Sequence, residues 1–204
     1  MKVATRRETK KEDKRRRIRD AAAHLFRTRG FDATTTRAIA DRAGVATGTL
    51  FLYVRDKTEA LALVYGDDVD EALAAASSSR PRRARFVRAL AHRLGGLYEL
   101  YARHPDLAMH YVRRIPTLED LAKEEHEARN DRFVGVIRDE LERAIVSGEL
   151  CKDLDVDLAA RTLFAVVRVL VFGWLASSPV DVEAGLADLE RTLRLLVEGM
   201  GSRS

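Results

Sequence analysis

The sequence predicts an all-α protein, and three observations predict it. Apolar residues recur at helical spacing along most of the chain, Ala, Leu, Arg and Glu are frequent, and the 204 residues contain only four prolines. With 46% apolar residues the chain can bury a real core, as one compact domain or as a small domain joined to a larger one.

The first element follows a dense run of cations, Lys10, Lys11, Lys14, Arg15, Arg16 and Arg17. The stretch from Lys2 to Arg19 is expected to begin disordered and to enter a helix near Glu12 or Asp13, whose carboxylates suit a helix start. Residues 1 to 57 hold 16 Lys and Arg against 7 Asp and Glu, a balance of +9, while the remainder holds 20 against 25, a balance of −5. A basic end on an acidic body is the polarity expected of a domain that neutralises phosphates. The same cations could reach a minor groove as an arm.

The next two elements form a helix-turn-helix in TTRAIADRAGVATGTLFLYVRDK, Thr35 to Lys57. Thr35 or Thr36 caps a short helix whose inner face is Ile39 and Ala43, with Ala40 small where a second helix must approach. Gly44 ends that helix, since glycine accepts the left-handed conformation, and Val45 follows as a plug. The second helix begins at Thr47 or the residue before it, with Leu50 and then Tyr53 or Val54 inward and Thr47, Thr49, Phe51 and Leu52 outward. A recognition helix lays its first residues against base edges while the helix before it crosses the backbone. Thr47, Gly48 and Thr49 are therefore the candidate base contacts. Thr35, Thr36, Arg37, Phe51, Leu52, Tyr53 and Lys57 complete the DNA-binding set, Lys57 as a phosphate contact, and the partner is double-stranded DNA.

Further helices are predicted from Lys57 to about Ala76, from Pro81 or Arg82 to about Arg103, and from Asp106 to Arg114. They are separated by breaks at Ser77 to Pro81, His104-Pro105 and Ile115-Pro116. A long helix follows from Leu118 to Ser147, closed by Gly148. The helix Asp157 to Ala176 is apolar nearly all round and needs cover on more than one side. The last, Asp181 to Met200, places Val182, Leu186, Leu189, Leu193, Leu196 and Met200 on one seam. Leu186, Leu189, Leu193 and Leu196 are the candidate dimer contacts, although packing within one chain would satisfy the same seam. Two readers held about 34 Å apart would meet successive major grooves of a near-palindromic operator, which favours a homodimer.

The combination of Thr36, Ile39 and Ala40, Ala43 to Val45, Gly48 to Phe51, and Lys57 resembles the DNA-binding domain of the TetR family of bacterial transcriptional regulators. Arg19 to Thr35 is similar to that family's first helix and the glycine-aromatic corner after it. Four positions depart from the pattern. Ala46 stands where serine is common, leaving Thr47 as the candidate cap; Phe51 replaces a tyrosine and loses its hydroxyl; Val54 replaces a phenylalanine; and Ala60 replaces a leucine, with Leu61 beside it. The resemblance implies a DNA-binding domain over residues 1–56 and a helical ligand-binding and dimerisation domain over 57–204. It also implies a repressor released from its operator by an unknown small molecule, with the helix from Lys57 as lever.

Candidate ligand-binding residues are the polar and aromatic groups in apolar helices: Tyr98, Tyr101, His110, Tyr111, Phe133, Arg168 and Trp174. Arg168, expected to be buried, needs a pair, which an internal salt bridge or a dimer contact would equally supply. For the tyrosines the alternative is ordinary core. His104, His110 and His126 do not assemble a metal set, and neither a nucleophile elbow nor a phosphate-binding glycine loop is present, so nothing argues for an enzyme or a cofactor. The single cysteine, Cys151, excludes an intrachain disulfide and fits a reducing compartment. The N-terminus is charged rather than apolar, and the run Leu163 to Leu175, interrupted by Arg168, falls short of the ~20 residues that span a bilayer, so a cytoplasmic protein is expected. A protein-binding helical module that keeps the fold without operator regulation is the alternative function.

Overall fold

A computed structural model describes residues 6–78, 81, 84–115 and 118–199. Among these the structure consists of α-helices joined by turns, with no strand. The helices are α1 (Arg6–Ala33), α2 (Thr36–Ala43), α3 (Thr47–Leu50), α4 (Lys57–Ser78), α5 (Phe86–Ala102), α6 (Pro105–Arg114), α7 (Asp120–Val146), α8 (Val156–Leu175) and α9 (Val182–Gly199). The chain divides into two compact units, Met1–Asp67 with His110–His126, and Asp68–Met109 with Glu127–Ser204.

In the first unit α1, α2 and α3 close over Ile18, Ala22, Phe26, Ile39, Ala40 and Leu50, each with 1% exposure or less. The helix α1 starts at Arg6, ahead of the expected Glu12 or Asp13, so the cations Lys10 to Arg17 ride on a helix rather than on a disordered arm. Three of them are already engaged. Arg15 pairs with Glu125 at 2.8 Å, Arg16 with Asp13 at 2.7 Å, and Arg17 donates to the carbonyls of Ala43 and Gly44. Residues 1–5 of the predicted arm lie outside the described residues.

Gly30 breaks α1 at φ 79°, a conformation costly for a side chain, and the chain turns there into Phe31. The buried Thr34 seals the corner, its hydroxyl donating to the Gly30 carbonyl at 2.7 Å. The start of α4 is a reciprocal cap. Asp56 accepts from the Glu59 backbone N–H at 2.9 Å, and the Glu59 carboxylate accepts from the Arg55 N–H at 2.7 Å. Ala60 and Leu61 are both buried, so the small residue is accommodated with its neighbour packing beside it.

In the second unit α5 is central, burying Phe86, Leu90, Leu94, Leu97, Tyr98 and Tyr101. It begins at Phe86, not at Pro81, and Arg82 lies outside the described residues. Parts of two predicted breaks, at residues 79–80 and 116, and the last seam residue Met200 also fall outside them. Asp155 caps α8 by accepting from the Leu158 N–H at 2.9 Å, and Asp181 caps α9 by accepting from Ala184 at 2.8 Å. The helix α8, Val156–Leu175, matches the predicted Asp157 to Ala176 to within one residue at each end. Its 20 residues are enough by length and composition to cross a bilayer, and one third of its most apolar window is buried within the chain.

A buried ion pair that the sequence did not disclose ties this unit together. Arg93 and Glu140, with side-chain exposures of 1% and 0%, meet at 2.9 Å, and the same guanidinium donates to the carbonyls of Ala76 on α4 and Val136 on α7. One charge on α5 therefore holds three helices.

Candidate nucleic-acid interface

Thr35, not Thr36, caps α2, its hydroxyl accepting from the Ala38 N–H at 3.1 Å. Gly44 closes the helix in the left-handed region at φ 63° and ψ 41°, and its N–H bonds back to the carbonyls of Ala40 and Asp41. A side chain at Gly44 would also strike Arg17, whose Nη2 lies 2.7 Å from the place of a Cβ. The turn is thus fixed twice, by backbone conformation and by the arginine that satisfies its last carbonyls.

The turn delivers α3 with one face in and one face out. Leu50 is fully buried and Val54 is 2% exposed, so Val54, rather than Tyr53, is the inward residue one turn on; Tyr53 is half-buried. Thr47 and Gly48 are exposed and Thr49 is half-buried on the opposite edge. Phe51 and Leu52 stand out at 49% and 79% exposure, large apolar groups on a surface that a partner would cover. Ala46 occupies the cap position of α3 with no side-chain bond, and its carbonyl accepts from Thr49 and Leu50. The structure brings Thr47, Gly48, Thr49, Phe51 and Leu52 onto one open edge, with Arg37 exposed on α2.

Lys57 is placed differently from its expected role. Its ammonium donates to the Phe31 carbonyl at 3.1 Å and the Asp32 carbonyl at 3.2 Å, and stands 4.5 Å from the centre of the Phe31 ring. Two of its three N–H groups are spent on the corner after α1. Arg55, two residues earlier, was not singled out from the sequence; it is exposed, lies in the turn between α3 and α4, and pairs with Glu119 and Glu59. The mixed-charge run RDK carries the signal that would have found it.

The candidate ligand residues separate into groups. Tyr98 and Trp174 meet with ring centres 4.6 Å apart, and Phe133 lies 5.1 Å from Phe164. Tyr101 is buried in the same unit. His110 and Tyr111 belong to the first unit, where His110 stacks on Phe31 at 4.7 Å and Tyr111 on Tyr65 at 4.8 Å. Arg168 is not buried: it lies on the exposed face of α8, its guanidinium 5.6 Å from the Phe164 ring, and needs no internal partner. Tyr98 is fully buried, and among the described residues its hydroxyl has no hydrogen-bond partner. Burial, with the negative charge of Asp188 added to it, pushes that phenol above its ordinary range.

The seam on α9 also resolves differently. Leu189 and Leu193 are fully buried within the chain, α9 packing on α5 and α8, so these two are core rather than dimer contacts; Leu186 and Leu196 are half-buried. What remains open is another face. Leu158, Val169 and Phe172 on α8 and Leu195 on α9 are exposed at 56%, 71%, 41% and 69%.

The family profile described as bacterial regulatory proteins, tetR family, matches residues 18–63, and that described as tetracyclin repressor-like, C-terminal domain, matches residues 83–174. The chain is 26% identical to the fatty acid metabolism regulator protein of Bacillus subtilis, covering 95% of this chain and 98% of that protein. It is 27% identical to the HTH-type transcriptional repressor KstR2 of Rhodococcus jostii, covering 94% and 93%. Among solved structures it superposes with a TM-score of 0.68 on FadR of Thermus thermophilus, a transcriptional repressor crystallised with lauroyl-CoA, at 30% identity over 93% of this chain and 96% of that one.

Proposed function

Given that the chain belongs to the TetR family of bacterial transcriptional regulators, repressors that bind operator DNA as dimers and answer to a small-molecule effector, we propose that its effector is a fatty acyl thioester of coenzyme A. The observation that carries this is the 30% identity over nearly the whole length of a repressor solved with lauroyl-CoA. The likeness to a fatty acid metabolism regulator supports it from a second organism.

On this reading the division of labour runs at about residue 57. Residues 1–56 hold the operator: Thr47, Gly48 and Thr49 meet base edges, while Thr35, Thr36, Arg37, Phe51, Leu52 and Tyr53 lie along the backbone and groove walls. Arg55 joins them as a phosphate contact, exchanging its carboxylate partners for DNA. Lys57 keeps the corner in place and has at most one N–H left for a phosphate. Residues 57–204 bind the effector and the second copy, which covers Leu158, Val169, Phe172 and Leu195. Arg168 stands on that same exposed face of α8 and becomes a dimer contact.

Release is a population shift. The acyl thioester must bind the arrangement of readers that misses successive grooves more tightly than the arrangement that meets them. The protein works in the cytoplasm and carries out no reaction of its own. Footprinting on the DNA flanking its gene, with and without lauroyl-CoA, tests the reading. Protection of a near-palindrome that fades as lauroyl-CoA is added supports it; protection that survives saturating acyl-CoA of every chain length from octanoyl to stearoyl refutes the effector class.

A further inference from the structure

Tyr98 sits toward the C-terminal end of the central helix of the body, with a hydroxyl that nothing among the described residues satisfies. Its neighbour Trp174 is not the missing partner: the indole N–H is committed to the Asp181 carbonyl at 2.6 Å. The two rings are held by Gly185 on α9, where an added Cβ would fall 2.6 Å from Trp174 Nε1 and 2.9 Å from Tyr98 Cε1. Only a residue without a side chain lets α9 close onto the pair.

A buried hydroxyl with no partner is unfavourable, and phenylalanine would fill the same volume without that cost. The group is therefore a feature of the resting chain that asks for a partner from outside it. Its chemistry defines the partner. Burial keeps the phenol protonated, so it offers one O–H donor and calls for an acceptor. Asp188, on α9 and paired with Arg191, adds negative charge to its surroundings. A carboxylate brought to the hydroxyl would be repelled and poorly solvated, whereas a neutral carbonyl would not.

We propose that the Tyr98 hydroxyl donates a hydrogen bond to the thioester carbonyl of the acyl-CoA effector, and that this contact selects thioesters over free fatty acids. The assignment rests on the acyl-thioester reading above. Gly185 is the positioning residue: it sets α9 against the Tyr98 and Trp174 rings and so fixes where the hydroxyl points.

The test uses the full chain and its Tyr98→Phe variant, with lauroyl-CoA, palmitoyl-CoA, lauric acid and coenzyme A as probes. Melting is measured first without any probe, then the probe concentration that half-releases each protein from operator DNA at matched occupancy. In the variant the melting temperature is expected to stay level or rise, and the half-release concentration of the acyl-CoA to rise about tenfold, the loss of one neutral hydrogen bond. Lauric acid and coenzyme A are expected to release neither protein. A variant that melts lower and responds to acyl-CoA like the parent would show that the hydroxyl is bonded within the chain, and would overturn the assignment. Lauric acid acting as well as lauroyl-CoA would overturn the selectivity. A parent chain that responds to neither acyl-CoA overturns the effector reading itself, whereas a responsive parent with an equally responsive variant overturns only the role of Tyr98.

Discussion

Lys57 grips Phe31 twice, through the backbone carbonyl at 3.1 Å and through the ring face at 4.5 Å. The lysine that opens α4 therefore holds the corner at the end of α1. Arg114 approaches the same ring at 4.5 Å, and His110 stacks on it at 4.7 Å, so Phe31 is the point where α1, α4 and α6 meet in the first unit.

This geometry changes what Lys57→Ala should do. The substitution removes charge-assisted bonds to two carbonyls, and a loss of about 1–3 kcal/mol in chemical denaturation is expected. The salt dependence of operator binding should keep its slope. A slope lower by about one unit, with stability untouched, would return Lys57 to the phosphates.

Ala46 leaves α3 without a side-chain cap although its backbone, at φ −65° and ψ 145°, already has the cap conformation. Ala46→Ser is expected to stabilise the protein by about 0.5–2 kcal/mol in thermal or chemical denaturation. No gain, or a loss, would show that the α3 N–H groups are already satisfied.

The open face of α8 and the closed seam of α9 make opposite predictions. Val169→Glu, at a position 71% exposed, should give folded monomers by sedimentation. Leu189→Ala, at a fully buried position, should instead cost about 2–5 kcal/mol of stability by leaving a cavity. A Val169→Glu protein that stays dimeric would move the interface elsewhere.

Glu140→Ala is expected to be among the most damaging single changes in the body, about 3–5 kcal/mol, because it leaves the buried Arg93 with only the half-exposed Asp139, 3.7 Å away, as a counter-charge. Denaturation midpoints would measure it. A cost below about 1 kcal/mol would mean that water reaches the guanidinium.

The reading head was legible because its constraints are local. Gly44 must turn, Ile39 and Leu50 must face inward, and each requirement acts over a few residues. The body was less legible because its helices are apolar on several sides. The pattern of α8 does not say which stripe faces in, and Arg168 was expected inside when the exposed Val169 beside it marks the outer face. The leucines of α9 carry a spacing that a partner helix within the chain satisfies as well as one from a second chain, and α5 supplied it. Arg93 carried no signal in the sequence because its partners, Ala76, Val136 and Glu140, are distant in sequence. The orphaned hydroxyl of Tyr98 is likewise a property of packing, not of pattern.

One chain is expected to couple an acyl thioester to an operator. Quantitative footprinting of the DNA flanking its gene, titrated with lauroyl-CoA at low salt, addresses it most directly. A protected near-palindrome with half-sites about one helical turn apart or a multiple of it is expected, lost as the thioester is added. An unprotected flank at low salt, or a protected one indifferent to every acyl-CoA, would contradict it.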